Sequence, residues 1–194
     1  MRPFLFLFLA IFSQTLTKAQ IVSNQSSAGI TLVLPLINNG ISYDYSARKT
    51  SGQNGYLGGG VSIFYKKDRN EFSLGYEHPG LKMELFPPKG GYSHFSADLF
   101  EISVQHLINN NIILLSGVNY TKYHFYSWSD LPPFPKVQEN DRTIGLTVGA
   151  GVALSKVASI LVSYRPALFS FDKKSYHQVL SLALQVHINF WKKR

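Results

Sequence analysis

Along most of the chain, large apolar side chains recur at every second position. The clearest run lies near the C-terminal end. There Leu180, Leu182, Leu184, Val186, Ile188 and Phe190 share one parity, and Ser181, Ala183, Gln185, His187 and Asn189 hold the other. Successive side chains of a strand point to opposite sides, so this run predicts a β-strand with two chemically different faces. Thr143 to Leu154 repeats it. Ile144, Leu146, Val148, Ala150, Val152 and Leu154 oppose Thr143, Gly145, Thr147, Gly149, Gly151 and Ala153. Shorter runs carry the same signal, around Ile160 to Tyr164, Ile112 to Tyr120, Phe100 to Val104, Phe72 to Tyr76, Val61 to Tyr65 and Ile41 to Tyr45, and the total is about eight strands. Gly29 to Leu36 is also strand-like, although Pro35 lacks the N–H that a central ladder needs.

Ile144 to Tyr164 could instead be scored as a transmembrane helix, since Lys156 is its one charge. Lys156 would then sit inside the span, at a cost of roughly 2.5–3.5 kcal/mol. Ser155-Lys156 also falls where a tight turn is wanted, and a helix would scatter the glycines that here keep one parity. The strand reading is therefore preferred.

Connection lengths supply the topology. Lys67 to Asn70, Asn109 to Asn111 and Ser155-Lys156 are short, whereas Pro79 to Tyr92, Ser127 to Asp141 and Ala167 to Tyr176 are long. Short turns at one end and long loops at the other predict a single, all-β, antiparallel up-and-down barrel that spans an outer membrane. Its tight turns would be periplasmic and its longer loops extracellular. A tilted spanning strand takes about 9–11 residues, so this length suits eight strands and not a large porin. An eight-stranded barrel has room inside only for side chains. Aromatic residues gather near both predicted rims: Tyr65, Phe72, Phe190 and Trp191 by the short turns, and Tyr45, Tyr76, Tyr123 and Phe169 among those by the long loops.

The chain resembles the small outer-membrane barrels of Gram-negative bacteria, the eight-stranded class that includes OmpX and the barrel of OmpA. The resemblance covers about residues 20–194 and rests mainly on pattern. Its most specific element is the last strand, where Val186, Ile188 and Phe190 match the C-terminal signal read by the barrel-assembly machinery, an implied partner. Trp191-Lys192-Lys193-Arg194 extends past the terminal phenylalanine of some members, as in barrels of the Bacteroidota type. The resemblance implies outer-membrane lipids and lipopolysaccharide as surroundings, and a structural or surface-interaction role.

Residues 1–19 fit a secretory signal peptide: Arg2, then the apolar stretch Phe4 to Phe12, then Thr17-Lys18-Ala19 before Gln20. The barrel domain would be residues 20–194, and loss of Arg2 and Lys18 would lower the formal charge of +8 by two.

Composition agrees. The chain is 45% hydrophobic, 14% aromatic and only 15% charged, against about 25% charged in soluble domains. The mean hydropathy of −0.01 is what interleaved lipid-facing and polar rows produce. The absence of cysteine excludes disulfides, thiolate metal sites, cysteine nucleophiles and lipoprotein acylation.

Candidate chemistry is sparse. The polar parity carries Asp44, Glu77, Glu101 and Arg165. Isolated charges in a dry lumen cost several kcal/mol, so these are expected to pair, with Arg165 as the hub of a plug. A proton or ion path is the alternative reading of the same residues. The six histidines show no metal-ligand spacing, and no cofactor or metal is expected.

Two barrels of this class are lipid A enzymes. His94-Phe95-Ser96 matches the His-x-Ser fragment of the lipid A deacylases, but the flanking residues of that motif are absent. His94 and Ser96 are therefore weak catalytic candidates, and the chain is expected not to be an enzyme. A narrow channel, or a subunit of a secretion or conjugation assembly, is also compatible. Trp128 and Phe134, among Pro132, Pro133 and Pro135, suggest a protein contact in an outer loop. Nucleic-acid binding is not expected.

Overall fold

The structure, a computed structural model, describes residues 26–44, 49–56, 58–79, 92–109, 111–128, 136–172 and 175–193. The predicted signal peptide, 1–19, lies outside the described residues, as does Phe134.

The described strands are β1 (Ser26–Asp44), β2 (Lys49–Tyr56), β3 (Gly59–Lys67), β4 (Asn70–His78), β5 (Tyr92–Leu107), β6 (Ile112–Trp128), β7 (Lys136–Ala153), β8 (Ala158–Ser170) and β9 (Ser175–Lys193). All neighbours pair antiparallel, and β1 pairs with β9, which closes the sheet. Strands β2 and β3 both pair with β1 and form two parts of one stave, so the closed barrel has eight staves. Closure removes the unpaired edges that an open sheet would expose.

Gly29–Leu36 and the run around Ile41 are one continuous strand. Pairing of β1 with β3 stops at Val33, pairing with β2 begins at Ile37, and the β1–β9 register shifts between Pro35 and Ile37. Pro35 sits in this bulge, where its missing N–H breaks no ladder, and its carbonyl accepts from the Gly58 N–H at 2.9 Å. The bulge places Leu36 and Ile37 both outward and so reverses the parity of the strand.

Two of the three long connections are shorter than expected, because β6, β7 and β8 continue past the predicted loop bounds, whereas the connection from Pro79 towards Tyr92 falls where it is predicted. β6 and β7 remain paired up to Trp128 and Lys136. Extended hairpins therefore replace much of the loop expected between Ser127 and Asp141.

The inward parity is small or polar. On β7 it is Thr143, Gly145, Thr147, Gly149 and Gly151. Glycine is required at Gly151, where an added Cβ would lie 2.3 Å from the Ile160 carbonyl oxygen and 2.8 Å from Leu161 Cγ. Ile113, Leu115 and Leu161 form an apolar cluster inside this wall.

Candidate functional site

Alternation along β4, β5 and β8 turns Glu77, Glu101 and Arg165 into the lumen, where they meet. Arg165 Nη2 lies 2.8 Å from Glu77 Oε2, and Arg165 Nε lies 3.0 Å from Glu101 Oε2. Arg165 Nη1 also donates to Ser181 Oγ at 3.2 Å. A directional chain of hydrogen bonds feeds the same carboxylate. Thr121 donates to Asn119 Oδ1, Asn119 Nδ2 donates to Thr147 Oγ1, and Thr147 donates to Glu101 Oε2 at 2.8 Å. A buried and a half-buried carboxylate thus share one guanidinium, whose fork suits this double contact. Asp44 pairs through its backbone with Lys49 and Ser175, and its side chain lies outside the described residues.

Two further histidine–carboxylate contacts bracket this network and were not anticipated. His177 Nε2 lies 3.0 Å from Asp141 Oδ2 towards the long-loop end. His187 Nε2 lies 3.1 Å from Glu71 Oε1 towards the short-turn end, with the His187 ring edge-on to Phe64. Glu71 was missed because the apolar alternation of β4 becomes visible only at Phe72. One more step of the same parity would have found it.

Between the network and the short-turn end, Gln105 donates to Gln185 across the lumen at 3.1 Å. Above this bridge lies a void of about 40 Å³, lined in part by Glu77, Glu101 and Arg165. That is room for roughly three waters, at about 10–15 Å³ each.

The outer face is apolar. Ile102 is 61% exposed, Ile63 59% and Leu74 53%. On β6 and β7 this band runs from Ile112 to Tyr120 and from Ile144 to Val152, close to the span of a tilted transmembrane strand. Aromatic residues bound it. Tyr76 pairs with Phe100 and Phe100 with Tyr120 at one rim, while Phe72 pairs with Tyr65 and Ala28 with Trp191 at the other. A bulge at Phe190 in β9 places both Phe190 and Trp191 outward. Val186 is half-buried, and Ile188 and Phe190 are exposed on this outer face.

Beyond the upper aromatic rim, four adjacent strands turn polar or charged on the outer parity in one step. His78, Asp98, Lys122 and Arg142 follow Tyr76, Phe100, Tyr120 and Ile144 on four adjacent strands. Asp98 gathers three partners. Tyr76 donates its hydroxyl at 2.7 Å, and His78 Nδ1 and His124 Nε2 each lie 3.1 Å away. Asp98 stands outside the membrane-spanning part of its strand, which ends at Phe100. The Tyr76 hydrogen bond first, and the two imidazoles with it, outweigh partial burial and hold its carboxyl at about 2.

Ser96 shares the outward parity of β5 but is only 8% exposed, so it is covered on this face. Its cross-strand partner is His124, which is already engaged by Asp98 and by Asn140. The side chain of His94 lies outside the described residues. Among the described residues, no group of three or more His, Asp or Glu is placed to hold a metal.

A closed eight-stave barrel with a polar lumen and an apolar outer face defines a class, and known structures share it. The chain is similar to Ail, the attachment invasion locus protein of Yersinia pestis, at 10% identity and a TM-score of 0.54, over 86% of this chain and 99% of that one. It is similar to Neisserial surface protein A at 11% identity and a TM-score of 0.52, over 86% of this chain and 100% of that one. The fold is that of the small eight-stranded outer-membrane barrels. No protein-family model matches the chain, and no curated protein matches it in sequence.

Proposed function

We propose that the protein is an integral outer-membrane barrel with a filled lumen, acting as a structural or surface-interaction element of the cell envelope. The observation that carries this reading is the apolar outer band between two aromatic rims. In water, such a band would leave many side chains like Ile102 and Leu74 wet, at about 25 cal/mol per Å². Hydrocarbon removes that penalty, and aromatic girdles are what a barrel carries at both interfaces.

Other features support the same reading. The cationic positions beyond the upper rim, Lys122 and Arg142, suit the anionic headgroups of lipopolysaccharide. Val186, Ile188 and Phe190 suit recognition by the barrel-assembly machinery. Extended outer hairpins that reach Trp128 suit a protein contact. The Arg165 network and the Gln105–Gln185 bridge set side chains across the lumen, which favours a filled barrel over a channel.

The test is fractionation followed by electrophoresis with and without boiling. The protein is expected in the outer-membrane fraction, with a mobility that changes on heating. Recovery in the soluble periplasm with one mobility in both samples would overturn the reading. Ser96→Ala is expected to leave the lipid A profile of the cell unchanged. An acyl-chain difference that depends on Ser96 would replace this reading with a hydrolase.

A further inference from the structure

Below the Gln105–Gln185 bridge, the lumen opens into a cup of about 760 Å³ at the short-turn end. The volume lies in the range of pockets that bury a small ligand or a few residues of peptide. All eight staves reach its wall.

The charge of this cup is one-sided. Lys66, Arg69, Lys156 and Lys192 line it, against the carboxylates of Asp68 and Glu71. Glu71 is already held by His187 at 3.1 Å. Arg69 is fixed at the rim, where Nη1 donates to the Ile108 carbonyl at 3.1 Å.

Lys66 and Lys192 carry the argument furthest. Both register with Ser27 of β1, one from each side, so they flank a single inward position. Lys192 is on that parity only because of the bulge at Phe190, which reverses the alternation after Asn189. The adjacent Lys67 and Lys193 both register with neighbouring Ser26 and lie on the outer parity, whereas Lys192, itself exposed at the end of its strand, lies on the inner one. Interfacial anchoring is therefore supplied by the outward pair. Lys66 and Lys192 thus share one inward row; Glu71, the cross-strand neighbour of Lys66, is turned to His187, and neither lysine has a carboxylate within ion-pair distance among the described residues.

We infer that this cup, with Lys66 and Lys192 on either side of Ser27, is a binding site for an acidic peptide segment. The neutral lining fits a peptide better than a simple anion. Ser27, Asn111, Ser159 and Asn189 offer both donors and acceptors to amide groups, and the volume far exceeds that of one phosphate. The inference rests on the barrel reading only in making the mouth periplasmic. Binding itself is measured without a membrane, so the two can fail separately.

The experiment is fluorescence anisotropy of a fluorescein-labelled hexaglutamate peptide with the detergent-folded full chain. Saturable binding is expected, weakened at least tenfold between low and high salt. The double variant Lys66→Gln/Lys192→Gln should weaken it at least tenfold. The outward control Lys67→Gln/Lys193→Gln should change it less than threefold. Heat-dependent mobility, checked for each variant, separates loss of a site from loss of folding; an inward variant that fails to fold is replaced by Lys66→Gln alone, with the same expectation. Absence of saturable binding would overturn the inference, as would equal effects of the inward and outward pairs. Binding of inorganic tripolyphosphate but not of hexaglutamate would overturn the peptide assignment.

Discussion

Arg165 and Glu77 meet across the lumen from strands 88 residues apart in sequence, with Nη2 2.8 Å from Oε2 and Nη1 3.4 Å from Oε1. Both side chains are buried, at 6% and 7% exposure. Removing one partner of such a pair leaves the other charge buried and uncompensated. Arg165→Met is expected to cost about 3–5 kcal/mol. Arg165→Met with Glu77→Gln and Glu101→Gln should recover much of that loss, since no bare charge then remains. Urea unfolding of the folded protein in detergent measures both. An Arg165→Met variant as stable as the parent would show that the guanidinium is not the hub of the plug.

Gly151 tests the lumen wall in a different way. Alanine ordinarily improves on glycine inside a strand by roughly 0.5–1 kcal/mol. Here the added Cβ would press on the Ile160 carbonyl and on Leu161. Gly151→Ala is therefore expected to destabilise by about 1–3 kcal/mol. Gly59→Ala, with nothing within 4 Å of the new Cβ, should be neutral or slightly stabilising. Equal effects at the two positions would remove the close-approach argument.

Particular residues show where the sequence was readable. Strict alternation on β4, β5 and β8 was enough to turn Glu77, Glu101 and Arg165 to one side, because the pairings of β4 and β5 carry no register shift and the bulge of β8, at Leu168, falls beyond Arg165. It failed in β1, where the bulge after Pro35 reverses the parity and splits one strand into two apparent segments. It failed again past Phe190, where another bulge turns Lys192 inward. Asp98 with His78 and His124 was hidden for a different reason. Their meeting depends on cross-strand register, which period-two alternation within each strand does not specify. The outer hairpins were read as loops because their paired residues, such as Asn140 and Arg142, are polar on the outer parity and show no apolar alternation.

The outer band predicts a position-dependent response to charge. Ile102 is 61% exposed, and in an aqueous protein Ile102→Arg would change little. Facing hydrocarbon, the same substitution is expected to cost about 2–4 kcal/mol near the bilayer midplane. Lys122→Arg, beyond the rim, should be neutral. Folding into phospholipid vesicles, followed by denaturant titration, distinguishes the cases. An Ile102→Arg variant that folds into vesicles as stably as the parent would contradict a lipid-facing band.

Asp98 makes the acid response of the outer rim specific. Its carboxyl lies at about 2, below its ordinary 3.8, because Tyr76 and the two imidazoles favour the charged form. A carboxylate with a depressed folded value binds protons more readily when unfolded. Its contribution is therefore fully present above about pH 4 and is lost as pH falls towards 2. Asp98→Asn removes the titrating group while keeping its shape and one acceptor. The parent's thermal transition in detergent is expected to fall between pH 4 and pH 2 by more than that of Asp98→Asn, and the two should differ most above pH 4. Both proteins share every other carboxylate, including Asp141 and Glu71, so the difference isolates this one group. Identical pH profiles would mean that the three hydrogen-bond partners around Asp98 contribute nothing to the stability of the rim.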